Sequence, residues 1–367
     1  MALTETYVDP SIAANSGTGT SVDPYGDLQY ALNTMTRDGT NGDRLNIKAG
    51  TAEVMASAIT LATYGTPGAL SPLVFQGYTS AAGDGGIGEI NNGGANVSII
   101  SSATLDYIHF ADMKIGNTGT SQILVLDQSC SFVNVEFHTS SAANAISTSI
   151  NCAYARCRVH TVTGNVAMLV SQSDVDHCVL SYGVSGQYAL STLGTMTITN
   201  NIVSVTNNAR GITTAGSQIA LRNNSVYSAT GGTGIGITMG STQGECRNCI
   251  VEGFSGAGGK GIVISAGCVA KVFGNNAFYN NTTNVTTTGG FIHRLTDITL
   301  TNAPFTNPGS GDFSIASAAK AELQAQGWPS SFNGISTSQY LDPGAAQIEI
   351  PTSTGGGRRS RGRYHGV

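Results

Sequence analysis

Between Phe110 and Phe278 one phrase recurs eight times: an apolar residue, two mostly polar residues, a compact residue, a free position, and an apolar residue. The opening slot holds Phe110, Phe132, Tyr154, Val175, Ile198, Leu221, Cys246 and Phe273. The compact slot, three residues later, holds Met113, Val135, Cys157, Cys178, Asn201, Asn224, Cys249 and Asn276. The closing slot, apolar throughout, runs Ile115, Phe137, Val159, Leu180, Val203, Val226, Val251, Phe278. Successive phrases are 22, 22, 21, 23, 23, 25 and 27 residues apart, and self-similarity at that period predicts stacked coils. Inward residues alternate on either side of a bend, as in two short strands meeting at a corner. A third apolar run fills each interval, at 123–126, 167–170, 212–215, 235–239 and 261–265. About 22 residues at ~3.3 Å each trace three strands and three turns, so the predicted fold is all-β, a parallel β-helix.

The flanks read differently. Leu28, Ala31, Leu32 and Met35 fall at helical spacing behind Asp23 and Pro24, which predicts a short helix over 25–36 covering one open end. Strand-like runs at 45–47, 73–75 and 97–100 predict early, irregular coils. Asn201, Asn224 and Asn276 are placed to hydrogen-bond between coils at the bend. Past Thr301 the phrase stops. Ser317 offers a cap for a second helical run over 318–326, ended by Gly327, and the segment is expected to lid the far end. The expected divisions are 1–40 (strand and capping helix), 41–305 (β-helix), 306–350 (C-terminal cap) and 351–367 (Gly/Arg-rich tail).

With 367 residues, 40% hydrophobic and only 11% charged, and with 48 Gly, the chain has turn-and-strand chemistry and enough apolar content for a large core. The net charge of −5 makes no case for nucleic acid. Basic character is local: Arg358, Arg359, Arg361 and Arg363 follow three glycines, as a cationic arm on a flexible joint or a solvated terminus. No secretory signal or membrane-length apolar run is visible, so a product made in the cytoplasm is expected. Seven Cys, four of them in inward slots, read as packed thiols rather than a disulfide framework.

Tyr7-Val8-Asp9-Pro10, the helix at 27–32, and Gly42-Asp43-Arg44-Leu45-Asn46-Ile47 with Ala49-Gly50-Thr51 resemble the opening of pectate-lyase-like right-handed parallel β-helix proteins. Phe305-Thr306-Asn307-Pro308, Gly311-Asp312-Phe313 and Leu341-Asp342-Pro343-Gly344-Ala345 resemble their closing segment. The resemblance spans roughly residues 5–348 and implies the handedness of the coil. It leaves function open, because this architecture serves lyases, glycosidases and phage structural proteins alike.

Registering the repeat stacks Lys114, Glu136 and Arg158 at about 5 Å intervals, beside Asp112, Asn134, Arg156 and His177, with Asp174 and Asp176 nearby and His138 above His160. The resemblance implies a chemistry for such a cluster: carboxylates that hold calcium beside an Arg that takes a proton, as in pectate lyases. The competing reading is ordinary cross-strand pairing on an exposed sheet. The blocks expected of a polygalacturonase are absent. Cys246-Arg-Asn-Cys249 has metal-motif spacing, yet both Cys occupy core slots, and no metal is assigned to it or to the His138/His160 pair.

Two functions remain. The leading expectation is a non-enzymatic virion protein, decorating a phage capsid or belonging to a tail appendage. Its partners would be capsid or tail proteins met through the Arg358–Arg363 arm, and its assembly a homotrimer. The alternative is a polysaccharide lyase or hydrolase acting on an acidic glycan, or a glycan-binding module. The site residues of the enzyme would be Asp112, Glu136, Arg156, Arg158, Asp174, Asp176 and His177, with calcium as cofactor if it is a lyase; for glycan binding without cleavage the outward aromatics are Tyr227 and Tyr279.

Overall fold

The computed structural model describes residues 2–324 and 326, except 96–99, 102–105, 118, 120–122, 140–145, 162–165, 241, 289–291 and 295. The chain is an all-β parallel β-helix of the right-handed type. Each coil contributes a strand, a sharp bend, a second strand, and a third strand reached through a longer turn. Equivalent strands of successive coils pair in parallel, giving, among the described residues, a first and a second face that join into one sheet of 21 strands, and a third face of nine. Phe75 pairs with Phe110, Phe110 with Phe132, Phe132 with Tyr154 and Tyr154 with Val175, so the inward positions form one vertical file. The rings of Phe75, Phe110, Phe132 and Tyr154 stack nearly parallel with centroids 4.9, 5.2 and 4.8 Å apart. The strand spacing of the sheet therefore sets a ring-stacking distance within the core.

The bend between first and second faces is made by one residue with φ of +52° to +57°: Asp112, Asn134, Arg156, His177, Asn200, Asn223, Asn248 and Asn275. Asn, Asp and His are enriched in this left-handed conformation, whereas Arg156 holds it at some cost. The amide predicted to tie the coils lies one position later. Asn201 Nδ2 donates to Asn224 Oδ1 (3.0 Å) and to the Val175 carbonyl (2.9 Å), and Asn224 Nδ2 donates to the Ile198 carbonyl (2.9 Å). Asn276 Oδ1 accepts from the Cys249 N–H at 3.0 Å. All three Asn are fully buried, so the ladder satisfies backbone groups that the bend strips of partners.

The N-terminal helix spans Leu28–Thr34, shorter than the periodicity predicts, and its cap is Asp27, which accepts from the Tyr30 N–H. Leu28, Ala31 and Leu32 are buried in the main core with Val8 and Leu45. The strands expected at 45–47 and 73–75 are Asp43–Lys48 and Leu73–Tyr78. Of the run at 97–100, only Ile100 lies within the described residues. All seven Cys are buried and unpaired by disulfide.

The C-terminal segment departs most from expectation. Its helix is only Lys320–Leu323, capped by Ala319 without a side-chain hydrogen bond, so Ser317 is not the cap. The strands Phe305–Asn307 and Asp312–Ile315 form a hairpin around the 3₁₀ turn Pro308–Ser310. This strap lies along the outside of the second face. Phe305, Phe313, Ile315, Ala319 and Leu323 bury the outward Ile250 and Ala277, with Ile202, Tyr227 and Tyr279 packed alongside, in a cluster separate from the main core. Tyr227 sits edge-on to Phe313 at 6.0 Å, so these two tyrosines are roofed rather than presented for sugar stacking.

Glu252 lies in the same outward row, its register partners being Tyr227 and Tyr279. It is 7% exposed, and its Oε2 has no hydrogen-bond partner among the described residues. Burial pushes its carboxyl from 4.5 up to about 7. Between those values the folded state keeps a proton that the unfolded chain has released, so stability falls as pH rises through the window. Glu252→Gln removes this dependence. It is expected to stabilise the protein at pH 8 by about 2 to 3 kcal/mol and to leave it almost unchanged at pH 4, as read from melting curves at the two pH values. Glu53, raised to about 7 by burial and the Asp27 charge against the opposing Leu28 N–H, adds the same trend, so the variant is compared with its parent at each pH.

Candidate functional site

The outward residues of the first face run in two rows along the helix axis. Thr197, Ala220, Glu245 and Val272 are successive register partners, and Asp174 precedes Thr197, whose N–H it accepts through Oδ1 at 3.1 Å. Beside them Asp176, Thr199, Arg222 and Arg247 are partners in turn. The first row, with Gln218 and Gln243, lines a groove of about 460 Å³ floored by Met196, Ile219 and Ala220. Arg222 grips Glu245 bidentately, Nε to Oε1 at 2.9 Å and Nη2 to Oε2 at 2.7 Å, and Arg247 pairs with the same carboxylate. Glu245 is thus a neutralised wall, not a free charge.

Asp176 takes three side-chain hydrogen bonds. Its Oδ2 lies 2.7 Å from His177 Nδ1, and its Oδ1 accepts from Thr199 Oγ1 (2.7 Å) and Asn200 Nδ2 (2.9 Å). Burial works to raise its pKa, but the donors, His177 first, outweigh that and hold it at about 2. The same hydrogen bond raises His177 against its own burial and the nearby Arg156 charge. Asp174 and Asp176 flank the inward Val175 on one strand, so both project outward with Cα atoms about 6.6 Å apart.

The seven residues singled out from sequence therefore fall in three adjoining places. Asp174 and Asp176 share the first face. Asp112, Arg156 and His177 sit on the bend, where Asp112 Oδ1 accepts from Asn134 Nδ2 at 2.7 Å. Glu136 and Arg158 are register partners on the second face, in a row that extends back through Lys114 to Glu89, where Lys114 Nζ and Glu89 Oε2 are 3.4 Å apart. His138 and His160 meet edge to face at 5.2 Å. Glu245, Arg222 and the two glutamines escaped the sequence reading. The same repeat arithmetic that stacks Glu136 on Lys114 leads from Asp174 through Thr197 and Ala220 to Glu245.

The donor set does not fit calcium. Among the described residues no three His, Cys, Asp or Glu side chains converge as metal ligands, and Asp112, Asp174 and Asp176 accept from amide, hydroxyl and imidazole donors. Cys246 and Cys249 face the sealed core. No described helix is long and apolar enough to cross a membrane.

No family model matches the chain, and no curated protein does. Four chains of solved structures match. They include two crystal structures of GH136 lacto-N-biosidase from Eubacterium ramulus. The native protein aligns over 79% of this chain and 68% of that one at 10% identity and a TM-score of 0.49. The selenomethionine derivative aligns over 80% and 68% at 12% identity and 0.38. Likeness at this level says nothing about chemistry. Neither is described as a virion protein, and the expected capsid or tail role and homotrimer draw no support from them. The arm carrying Arg358, Arg359, Arg361 and Arg363 lies outside the described residues.

Proposed function

We propose that the protein is a glycan-acting β-helix that hydrolyses its substrate at the carboxyl pair Asp174 and Asp176. The observation that carries this reading is their placement: two outward carboxylates, two residues apart on one strand, with Asp174 lining the groove and Asp176 in the row beside it. A Cα separation of about 6.6 Å lets the carboxyl groups stand within the ~6.5–9.5 Å that inverting glycosidases use to seat a water between acid and base. Asp176, held ionised by its three donors, is the base. Its Oδ2 receives only His177, which leaves a lone pair for the attacking water. Asp174, with Oδ1 occupied by the Thr197 amide, presents Oδ2 to protonate the leaving oxygen.

The groove suits a sugar chain. Gln218, Gln243 and Thr197 supply hydrogen-bonding groups for hydroxyls, while Met196 and Ala220 underlie the apolar ring faces. From Asp174 to Glu245 the groove crosses three coil spacings, about 14 Å, the length of two to three sugar units. The lyase alternative needs a cation held among carboxylates, and these residues do not gather one.

The test is digestion of a panel of neutral and acidic polysaccharides, with products followed by reducing-end assay and by NMR of the first anomer released. New reducing ends of inverted configuration are expected. Products carrying an unsaturated ring, or no product and no binding across the panel, would overturn the proposal.

A further inference from the structure

We infer a second ligand site, on the outside of the second face, that takes a carboxylated sugar. It is a cavity of about 500 Å³ between the coils carrying Arg158, Val179 and Ile202 and the turn Pro308–Ser310 of the C-terminal strap. Its walls come from parts of the chain far apart in sequence, and its size lies in the range of small-ligand pockets, enough for a disaccharide.

Three features specify the occupant. The first is an unanswered cation. Arg158 is exposed and makes no ion pair or hydrogen bond with the described residues, although Glu136 is its register partner one coil below. Lys114, on the other side of Glu136, is matched by Glu89. A guanidinium with its donors free, at the mouth of a cavity, is a receptor for a planar carboxylate. The second feature is the floor. Val179 and Ile202 are register partners that point outward and are only partly covered, and Phe313 of the strap closes one end. Such a surface matches the apolar face of a pyranose ring. The third is a hydroxyl row, Ser181 on Ser204, flanking that floor, with His160 in line one coil before. These groups reach the edge of the ring that the floor supports. Gly309 and Gly311 add no obstruction, since a Cβ at either would meet nothing within 4 Å.

Arg158, Val179 and Ile202 follow one another by single coil steps of about 4.8 Å, the scale of one sugar residue, and the serines lie two residues along the same strands, about 6.6 Å to the side. The site shares no lining residue with the groove of the first face, so it does not rest on the hydrolytic reading.

The experiment is calorimetric titration of the full chain with digalacturonate, its methyl ester and sodium acetate, in parent, R158Q and D174N proteins. Expected are saturable binding of digalacturonate by the parent, loss of about tenfold or more in R158Q, and full retention in D174N. The methyl ester and acetate should bind more weakly by a similar factor. Arg158 makes no ion pair or hydrogen bond with the described residues, so the R158Q melting temperature should match the parent. No binding by the parent, equal binding of the ester, equal binding of acetate, or undiminished affinity in R158Q would each overturn the site.

Discussion

Asp176→Asn will lower hydrolysis by about 10²- to 10⁴-fold while leaving glycan binding nearly intact. The factor is that of a positioned general base, because the amide cannot accept the proton of the attacking water. Asp174→Asn should fall in the same range through loss of the proton donor, and the double variant should be little worse than either single one, since acid and base serve one step. Their stabilities should differ. The Asp176 carboxyl is depressed from 3.8 to about 2, so its contribution is present above pH 4 and lost as pH falls through 2. Its side chain is 37% exposed, so solvent screening leaves it worth about 1 kcal/mol, and D176N should melt slightly lower than its parent at pH 7. Melting curves run beside the kinetics separate that loss from the catalytic one. Activity surviving within a factor of about three in both variants would remove the carboxyl pair from the mechanism.

The β-helix was legible because its evidence is repeated. Each coil restates the same inward positions, so Phe132, Tyr154 and Val175 could be aligned by counting alone, and the structure pairs them as counted. The strap was not legible, because its partners are outward residues. Ile202, Ile250 and Ala277 share their row with Ser225, and an isolated outward apolar residue in a strand reads as ordinary surface. Only the fold back of Phe305 and Phe313 shows that Ile250 and Ala277 make one buried patch, with Ile202 at its margin. The site was half legible for a related reason. Counting found the charges but not the faces, since one left-handed residue at the bend turns Asp176 and Arg158 toward different sides of the coil. His177 was grouped with Asp112 by register, yet its hydrogen bond to Asp176 comes from adjacency in the chain. Glu245 could be reached by the same count from Asp174, but with Thr197 and Ala220 between them nothing charged marks the coils that link the two.

The largest loss of stability is expected from Phe132→Ala. Phe132 is fully buried, stacked on Phe110 below at 5.2 Å and Tyr154 above at 4.8 Å, with the edge of Phe137 at 5.5 Å. In a compact core the neighbours of a truncated side chain relax into part of the void, and the cost varies with how far they can move. Here they can move little. Phe110 and Tyr154 are fixed along the helix axis by the parallel pairing of their own strands with the strand of Phe132, so the gap cannot close by bringing the coils together. The cost should therefore reach the upper part of the usual range, about 4 to 5 kcal/mol, with Phe132→Leu at about 1 to 2 kcal/mol because most of the volume is kept. Urea unfolding checks both: the midpoint should fall in that order with the slope unchanged if the whole rod unfolds together. Coils in a solenoid lean chiefly on their neighbours, so the damage should also be local. Amide exchange in F132A should quicken from residue 108 to 182 and stay near parental values in the strands after 210. A loss below about 1 kcal/mol, or exchange quickened evenly along the chain, would mean that the aromatic file does not bear the packing load assigned to it.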